Sequence, residues 1–177
     1  MNYFELYGLP VQMRVDRDYI RKTFYTLSRK YHPDFHTSAP KAEQAEILEK
    51  SSLVNKAFEV FQDPDATIRY VLSLHDLIEA EEKYSLSPEF LMEVMDINEQ
   101  LMEMEPGAAS ESIDACEQQA VQLLSQINQE AEPYIASYRS GITPEKDLLK
   151  VKDYYYRKKY MQRILDKIAQ LRNIATH

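Results

Sequence analysis

Apolar residues along this chain recur every three or four positions rather than every second one, which predicts helices throughout. Residues 3–9 form a short apolar piece closed by Gly8-Leu9-Pro10. From Asp16, a favourable N-cap, Ile20, Phe24, Leu27 and Tyr31 fall at i, i+4, i+7 and i+11, one stripe of an amphipathic helix. Pro33 ends that helix, because its ring disfavours helical geometry at His32 and removes a backbone donor. Beyond a polar loop, Pro40 sits where a first helical turn tolerates proline, and Ile47, Val54, Phe58 and Phe61 repeat with helical spacing. Asp63-Pro64-Asp65 breaks this second helix, and Ile68, Leu72 and His75 mark a shorter third one.

Residues 77–86, with Glu79, Glu81 and Glu82, read as a connector. Ser87-Pro88-Glu89 then combines an N-cap serine, a proline at the first helical position and an acid facing the helix dipole. The helix it opens is expected to run to Met104 and stop at Pro106-Gly107. Ser110 opens another, with Ile113, Ala120, Leu124, Ile127, Ala131 and Tyr138 on one side. Gly141 and Thr143-Pro144 close it and begin the last helix, whose expected stripe is Tyr156, Tyr160, Ile164, Ile168 and Leu171. The expected fold is all-α. Residues 1–76 supply an antiparallel helical hairpin with short flanking helices, and residues 87–177 a three-helix bundle.

Composition narrows the function. The chain has 177 residues, 44% hydrophobic and 28% charged, the size of one large domain or two small ones and unlike a disordered protein. Three glycines count against a hairpin-rich fold and against a phosphate-cradling loop. No stretch approaches the roughly 20 apolar residues of a membrane span. The N-terminus lacks a basic region followed by an apolar one, so neither a secretory signal nor a membrane is expected. Cys116 is the sole cysteine, which excludes an internal disulfide and a zinc or iron–sulfur site built on several thiolates, and fits a reducing cytoplasm. Its place in an amphipathic segment marks it as a small buried residue.

The formal charge of −8 argues against nucleic acid as the main partner. It is unevenly spread. Residues 1–76 carry 10 basic and 11 acidic groups, while residues 77–177 carry 11 and 18, so two electrostatically different halves suggest two tasks.

Candidate chemistry centres on Tyr31-His32-Pro33-Asp34. His32 and His36, four apart, could be metal ligands, but that spacing shares a face only in a continuous helix, which Pro33 interrupts. His32 and Asp34 could be an acid/base pair, yet no serine, cysteine or further carboxylate is placed to complete a catalytic set. Composition alone favours a plain turn. The surroundings change the balance. A basic helix with an aromatic–leucine stripe, then His-Pro-Asp, then a helix containing Val54-Asn55-Lys56-Ala57-Phe58, resembles a J domain, the module by which co-chaperones stimulate ATP hydrolysis by DnaK-type chaperones.

The opening Asn2-Tyr3-Phe4-Glu5-Leu6-Tyr7-Gly8-Leu9-Pro10, the stretch Arg69-Tyr70-Val71-Leu72-Ser73-Leu74-His75 and Phe90-Leu91-Met92-Glu93 resemble the HscB family, J-type co-chaperones of iron–sulfur cluster assembly. The likeness spans essentially the whole chain. The Gly/Phe-rich and zinc-binding regions of general J proteins are absent, as are the CxxC pairs of eukaryotic HscB forms, so the resemblance is to the bacterial type.

The resemblance implies two docking surfaces. His32, Pro33 and Asp34, with Arg21, Lys22, Arg29 and Lys30, would meet a DnaK/HscA-type ATPase chaperone; Lys22 and Arg29 are seven apart, opposite the apolar stripe. On residues 88–104, Phe90, Val94, Ile97, Leu101 and Met104 should face the bundle, while Leu91, Met95 and Met102 form a second stripe rotated by about 120°. Glu89, Glu93, Asp96, Glu99 and Glu103 take most of the remaining circumference. Periodicity alone leaves two explanations open, a helix packed on two sides or an apolar docking patch rimmed by acids. The resemblance implies that Leu91, Met92, Met95, Asp96, Glu99 and Glu103 bind the iron–sulfur scaffold protein, joined by an aromatic from the last helix. Within Tyr154-Tyr155-Tyr156 that aromatic is assigned to Tyr156. Met95 stands where the family commonly has leucine, a conservative change. The tyrosine run and Arg157-Lys158-Lys159 depart further from the family pattern.

The chain is thus expected to be a co-chaperone and not an enzyme, with no cofactor and no metal. It would bring the scaffold to the chaperone and couple delivery to ATP hydrolysis there. A J protein serving another client, a metal-dependent hydrolase using His32 and His36, and a helical DNA-binding domain are the alternatives.

Overall fold

The computed structural model describes residues 1–104 and 107–175, and every regular element among them is helical. In chain order these are α1 (Tyr3–Leu6), α2 (Arg17–Lys30), a 3-10 turn (Pro33–Phe35), α3 (Lys41–Gln62), α4 (Pro64–Leu74), α5 (Pro88–Glu103), α6 (Ser110–Ala136) and α7 (Glu145–Ala175). The expected helix stop at Pro106 lies outside the described residues. No described helix is long and apolar enough to cross a membrane. The chain divides into two compact units. One holds Met1–Ile78 with Ala136–Pro144, the other Glu79–Ile135 with the chain from Glu145 onward. This differs from the sequence expectation in two places: the second unit takes in residues 79–86, read as connector, and the loop between α6 and α7 belongs with the first.

In the first unit, short polar side chains start the helices where the sequence places them. The Asp16 carboxylate accepts the amides of Asp18 and Tyr19, and Asp63 accepts those of Asp65 and Ala66. Both satisfy donors that a helix start leaves without intrahelical partners. Phe4, Tyr7, Ile20, Val54, Ala57, Phe61, Val71 and Leu72 fill the interior. Phe61 meets Phe4 and Tyr7 at centroid distances of 5.0 and 5.3 Å, and Phe24 of α2 stacks on Phe58 of α3 at 4.0 Å. On the α2 stripe only Ile20 is fully buried; Phe24, Leu27 and Tyr31 are half-buried, because α2 packs chiefly on α3.

The hydroxyl of Tyr7 donates to the Val54 carbonyl at 2.8 Å, and the Tyr19 hydroxyl donates to the Tyr7 carbonyl at 2.8 Å. Gly8 comes next at φ +69, a conformation that glycine takes without steric cost, and a Cβ there would meet the Tyr19 hydroxyl at 3.4 Å. Tyr138 was expected on the stripe of the 110–140 segment. Instead α6 ends at Ala136, and Tyr138 lies in the loop beyond it with its hydroxyl 2.7 Å from Nε2 of His75.

The second unit's core is Phe90, Val94 and Ile97 of α5, Ile113, Cys116, Ala120, Leu123, Ile127, Ala131 and Ile135 of α6, and Leu148, Val151, Tyr154, Met161, Ile164 and Ile168 of α7. Cys116 is fully buried, as its position implied, and burial pushes its thiol pKa up. Two expectations need correcting. On α6 Leu123 turns inward and Leu124 is half-buried; on α7 Tyr154 and Met161 take core places expected for Tyr156 and Tyr160.

Truncating Phe61 removes the ring on which Phe4 and Tyr7 both pack. Phe61→Ala should lower stability by about 3–5 kcal/mol in urea denaturation. Burial also raises the Tyr7 phenol above its ordinary pKa of 10.0, so the fold favours the neutral form. That contribution is complete below the ordinary value and declines above it, where the unfolded chain ionises first. Stability should therefore fall in base beyond pH of about 10, and the fall should be shallower in Tyr7→Phe.

Candidate functional site

The first candidate surface is built where α2 stops. The Tyr31 amide closes the helix on the Leu27 carbonyl at 3.0 Å, and His32 before the proline is extended, with φ −71 and ψ 126. This is the geometry that a proline imposes on the residue before it. His32 then caps the 3-10 turn, its Nδ1 accepting the Asp34 amide at 3.2 Å. The Phe35 amide donates to the His32 carbonyl, and the His36 amide to that of Pro33. With Nδ1 occupied as acceptor, a neutral His32 carries its proton on Nε2. His36 donates from Nε2 to the Lys30 carbonyl at 2.8 Å, tying the loop back to the end of α2.

His32, Pro33, Asp34 and Phe35 are all exposed. Phe35, with 69% of its surface open, sets its ring edge-on to His32 at 5.8 Å. The alternative metal pair gains nothing from this arrangement, since His36 commits Nε2 to a carbonyl. Among the described residues no three His, Cys, Asp or Glu side chains converge.

Beside the turn, Arg21, Lys22, Arg29 and Lys30 are exposed on α2. Lys22 and Arg29 share one edge about 10 Å apart along the axis. Lys30 lies 5.2 Å above the Tyr31 ring, and Lys50 of α3 approaches the same ring at 5.4 Å. None of Arg21, Lys22 and Arg29 enters an ion pair among the described residues. Arg29 and Lys30 thus lie in the last turn of α2 beside the exposed loop, while Arg21 and Lys22 lie nearer the helix start.

The second surface lies on α5. Ser87 accepts the Phe90 amide and Pro88 occupies the first helical position, so the helix begins where the sequence predicts. Phe90, Val94 and Ile97 turn inward. Leu91, Met92, Met95 and Met102 keep 44%, 69%, 52% and 86% of their surface open. The second stripe is thus at the surface rather than packed on another neighbour. Glu89, Glu93, Asp96, Glu99 and Glu103 surround it, all exposed. Exposed methionines give an apolar surface that adapts to a partner's shape.

Tyr156 packs on the segment that precedes α5. Its hydroxyl donates to Glu82 at 2.9 Å, and its ring stacks on Tyr84 at 4.4 Å. Glu82 also receives the Lys152 ammonium at 2.6 Å, and the Tyr84 hydroxyl donates to Asp153 at 2.8 Å. Residues 79–86 are a strap pinned along α7. The Lys152 hydrogen bond, then that of Tyr156, holds the Glu82 carboxyl below its ordinary pKa. Tyr160 meets α5 directly, accepting from Asn98 Nδ2 at 2.7 Å and packing edge-on to Phe90 at 5.6 Å. Nothing in the local sequence signals a Glu82–Lys152 pair 70 residues apart.

Comparison with known proteins matches residues 2–70 to the DnaJ domain and residues 86–169 to the HSCB C-terminal oligomerisation domain. The chain belongs to the HscB family of co-chaperones. It is 34% identical over 113 residues to the co-chaperone protein HscB homolog of Vibrio vulnificus strain YJ016, covering 63% of this chain and 66% of that one. With the homolog of Vibrio cholerae strain O395 it shares 33% over 117 residues, 66% of this chain and 63% of that one. The matched stretch thus spans just under two thirds of these relatives' length. In three dimensions, the chain resembles the chaperone HscB from Vibrio cholerae with a TM-score of 0.62 and 25% identity, covering 99% of both chains. The crystal structure of human co-chaperone protein HscB gives 0.72 and 26%, covering 96% of this chain and 81% of the human one.

Removing the strap's anchor should be measurable. Glu82→Ala takes away an acceptor shared by Lys152 and Tyr156 and should cost about 1–3 kcal/mol in denaturation. Because the fold depresses the Glu82 pKa, its contribution is present above the ordinary value of 4.5 and lost as pH falls below it. The stability gap between the unmodified chain and Glu82→Ala should accordingly narrow on acidification.

Proposed function

We propose that this chain stimulates ATP hydrolysis by a DnaK/HscA-type chaperone through its J domain and delivers an iron–sulfur scaffold protein to that chaperone on α5. The observation that carries the reading is the solvent-open His32-Pro33-Asp34 turn at the end of a helix on which Arg21, Lys22 and Arg29 enter no ion pair among the described residues. Unpaired cations on a rigid helix are suited to steer an acidic surface and fix its orientation, contributing more to encounter rate and specificity than to affinity. His32 and Asp34 would then press on the chaperone and favour its hydrolysis-competent state. The phosphate chemistry belongs to the partner.

The scaffold would dock on Leu91, Met92 and Met95, with Asp96, Glu99 and Glu103 meeting its basic groups. Tyr156 would act beside this surface through the strap rather than as a free ring. Carrying both surfaces on one chain raises the effective concentration of scaffold at the chaperone, without any new contact between those two proteins.

Replacing His32 by glutamine keeps a polar side chain of similar reach while removing the imidazole. His32→Gln should abolish stimulation of steady-state ATP turnover by the chaperone, with unchanged circular dichroism and unchanged scaffold binding. Full stimulation by that variant would defeat the reading. A chain that stimulates turnover yet shows no affinity for the scaffold in a pull-down would instead serve another client.

A further inference from the structure

The basic run that departs from the family pattern, Arg157-Lys158-Lys159, has a structural division of labour. Arg157 is used internally, its Nε 3.0 Å from Asp153 and its Nη1 3.4 Å from Glu130. Lys159 is exposed, and Arg163 and Lys167 continue from it at steps of four. Three cations therefore line one edge of α7, each about 6 Å further along the axis. None of the three enters an ion pair among the described residues, and Asp166, the one acid of residues 157–167, pairs with none of them. A row of like charges at this spacing weakens an isolated helix slightly, so nothing in local stability accounts for it. It stands out on the half of the chain that carries 18 acidic against 11 basic groups.

Lys159 and Arg163 border a groove of about 330 Å³ whose walls also include Lys83, Tyr84, Tyr156 and Tyr160. Glu82 also lines it, but its carboxylate is already engaged by Lys152 and Tyr156. The groove joins the α5 surface through Tyr160, which accepts the Asn98 amide and packs edge-on to Phe90. Asn98 is seven residues after Leu91 and four before Met102, on the side of the exposed stripe that faces α7. Across the second unit the surface thus runs from the acids of α5, over Leu91 and Met95, past the tyrosines, to the cations of α7.

We propose that Lys159 and Arg163, with Lys167 at the end of the row, form the second half of the client-docking surface and take an acidic segment of the same partner that meets α5. The inference rests on the docking role given to α5 above. Its content is orientation. The acids of α5 alone would accept any partner with a basic patch, whereas a surface acidic on one side and cationic on the other admits only a partner carrying a basic and an acidic patch in matching order. The reversed arrangement puts like charges together.

The test is calorimetric titration of the intact chain with the iron–sulfur scaffold protein of the same organism, at low and at raised salt. Lys159→Glu combined with Arg163→Glu should weaken binding about tenfold or more at low salt, and much less at high salt. Lys159→Arg with Arg163→Lys should bind as the unmodified chain does. All the altered side chains are exposed, and circular dichroism checks that the helices persist. Undiminished affinity of the charge-reversed chain, with weakened binding by Leu91→Ala, would overturn this inference and leave the α5 reading standing. Loss of affinity in both variants supports the two together; unchanged affinity in both, or no binding by the unmodified chain, overturns both.

Discussion

The ring of Pro33 denies helical geometry to His32 and supplies no amide of its own, so α2 has to end at Lys30 and the chain has to turn. The exposed face of the first unit depends on that stop. His32 becomes the cap of a 3-10 turn, its Nδ1 taking the Asp34 amide, and His36 closes the loop on the Lys30 carbonyl. The turn is thereby held by its own short-range bonds and needs no cover from the core, which leaves His32, Pro33 and Asp34 facing solvent at the end of a cationic helix. The hairpin behind it is fixed by the Phe24–Phe58 stack and by the Phe61 ring against Phe4 and Tyr7.

The second unit meets a different constraint. Each of its three helices buries one face, yet α5 has more apolar surface than its packing consumes. Phe90, Val94 and Ile97 satisfy the core, and the Leu91, Met95 and Met102 stripe is left outside with acids around it. Such a patch tends to associate unless its rim is charged, and the acids of α5 supply that charge. The strap at Glu82 and Tyr84 adds order to the neighbouring α7 by pairing with Lys152, Asp153 and Tyr156. It thereby fixes Tyr156, which lines the same groove as Tyr160.

Much of this was legible in the chain alone, for physical reasons. Helix starts were readable because Asp16, Asp63 and Ser87 cap locally, and the amides they accept are two or three residues away. The α5 stripes were readable because aliphatic and acidic residues alternate cleanly around that helix. Tyr154-Tyr155-Tyr156 was not readable in the same way. A tyrosine can bury its ring or present its hydroxyl, so periodicity could not tell which ring enters the core, and Tyr154 does so with its hydroxyl on Asn128. Residues 79–86 looked like a connector because their composition is acidic, and the partners that pin them lie some 70 positions away. Tyr138 was assigned to a helical stripe that fits its spacing, but α6 ends two residues earlier.

The proposed function requires a coupling between the two surfaces, and steady-state ATP turnover of a DnaK/HscA-type chaperone reads it most directly. The measurement compares turnover with the chain, with the scaffold protein, and with both. Turnover with both should exceed the sum of the separate increments, and Met95→Glu should remove that excess while leaving the stimulation by the chain alone in place. Additive turnover, or an excess that survives Met95→Glu, would contradict delivery of the scaffold on α5.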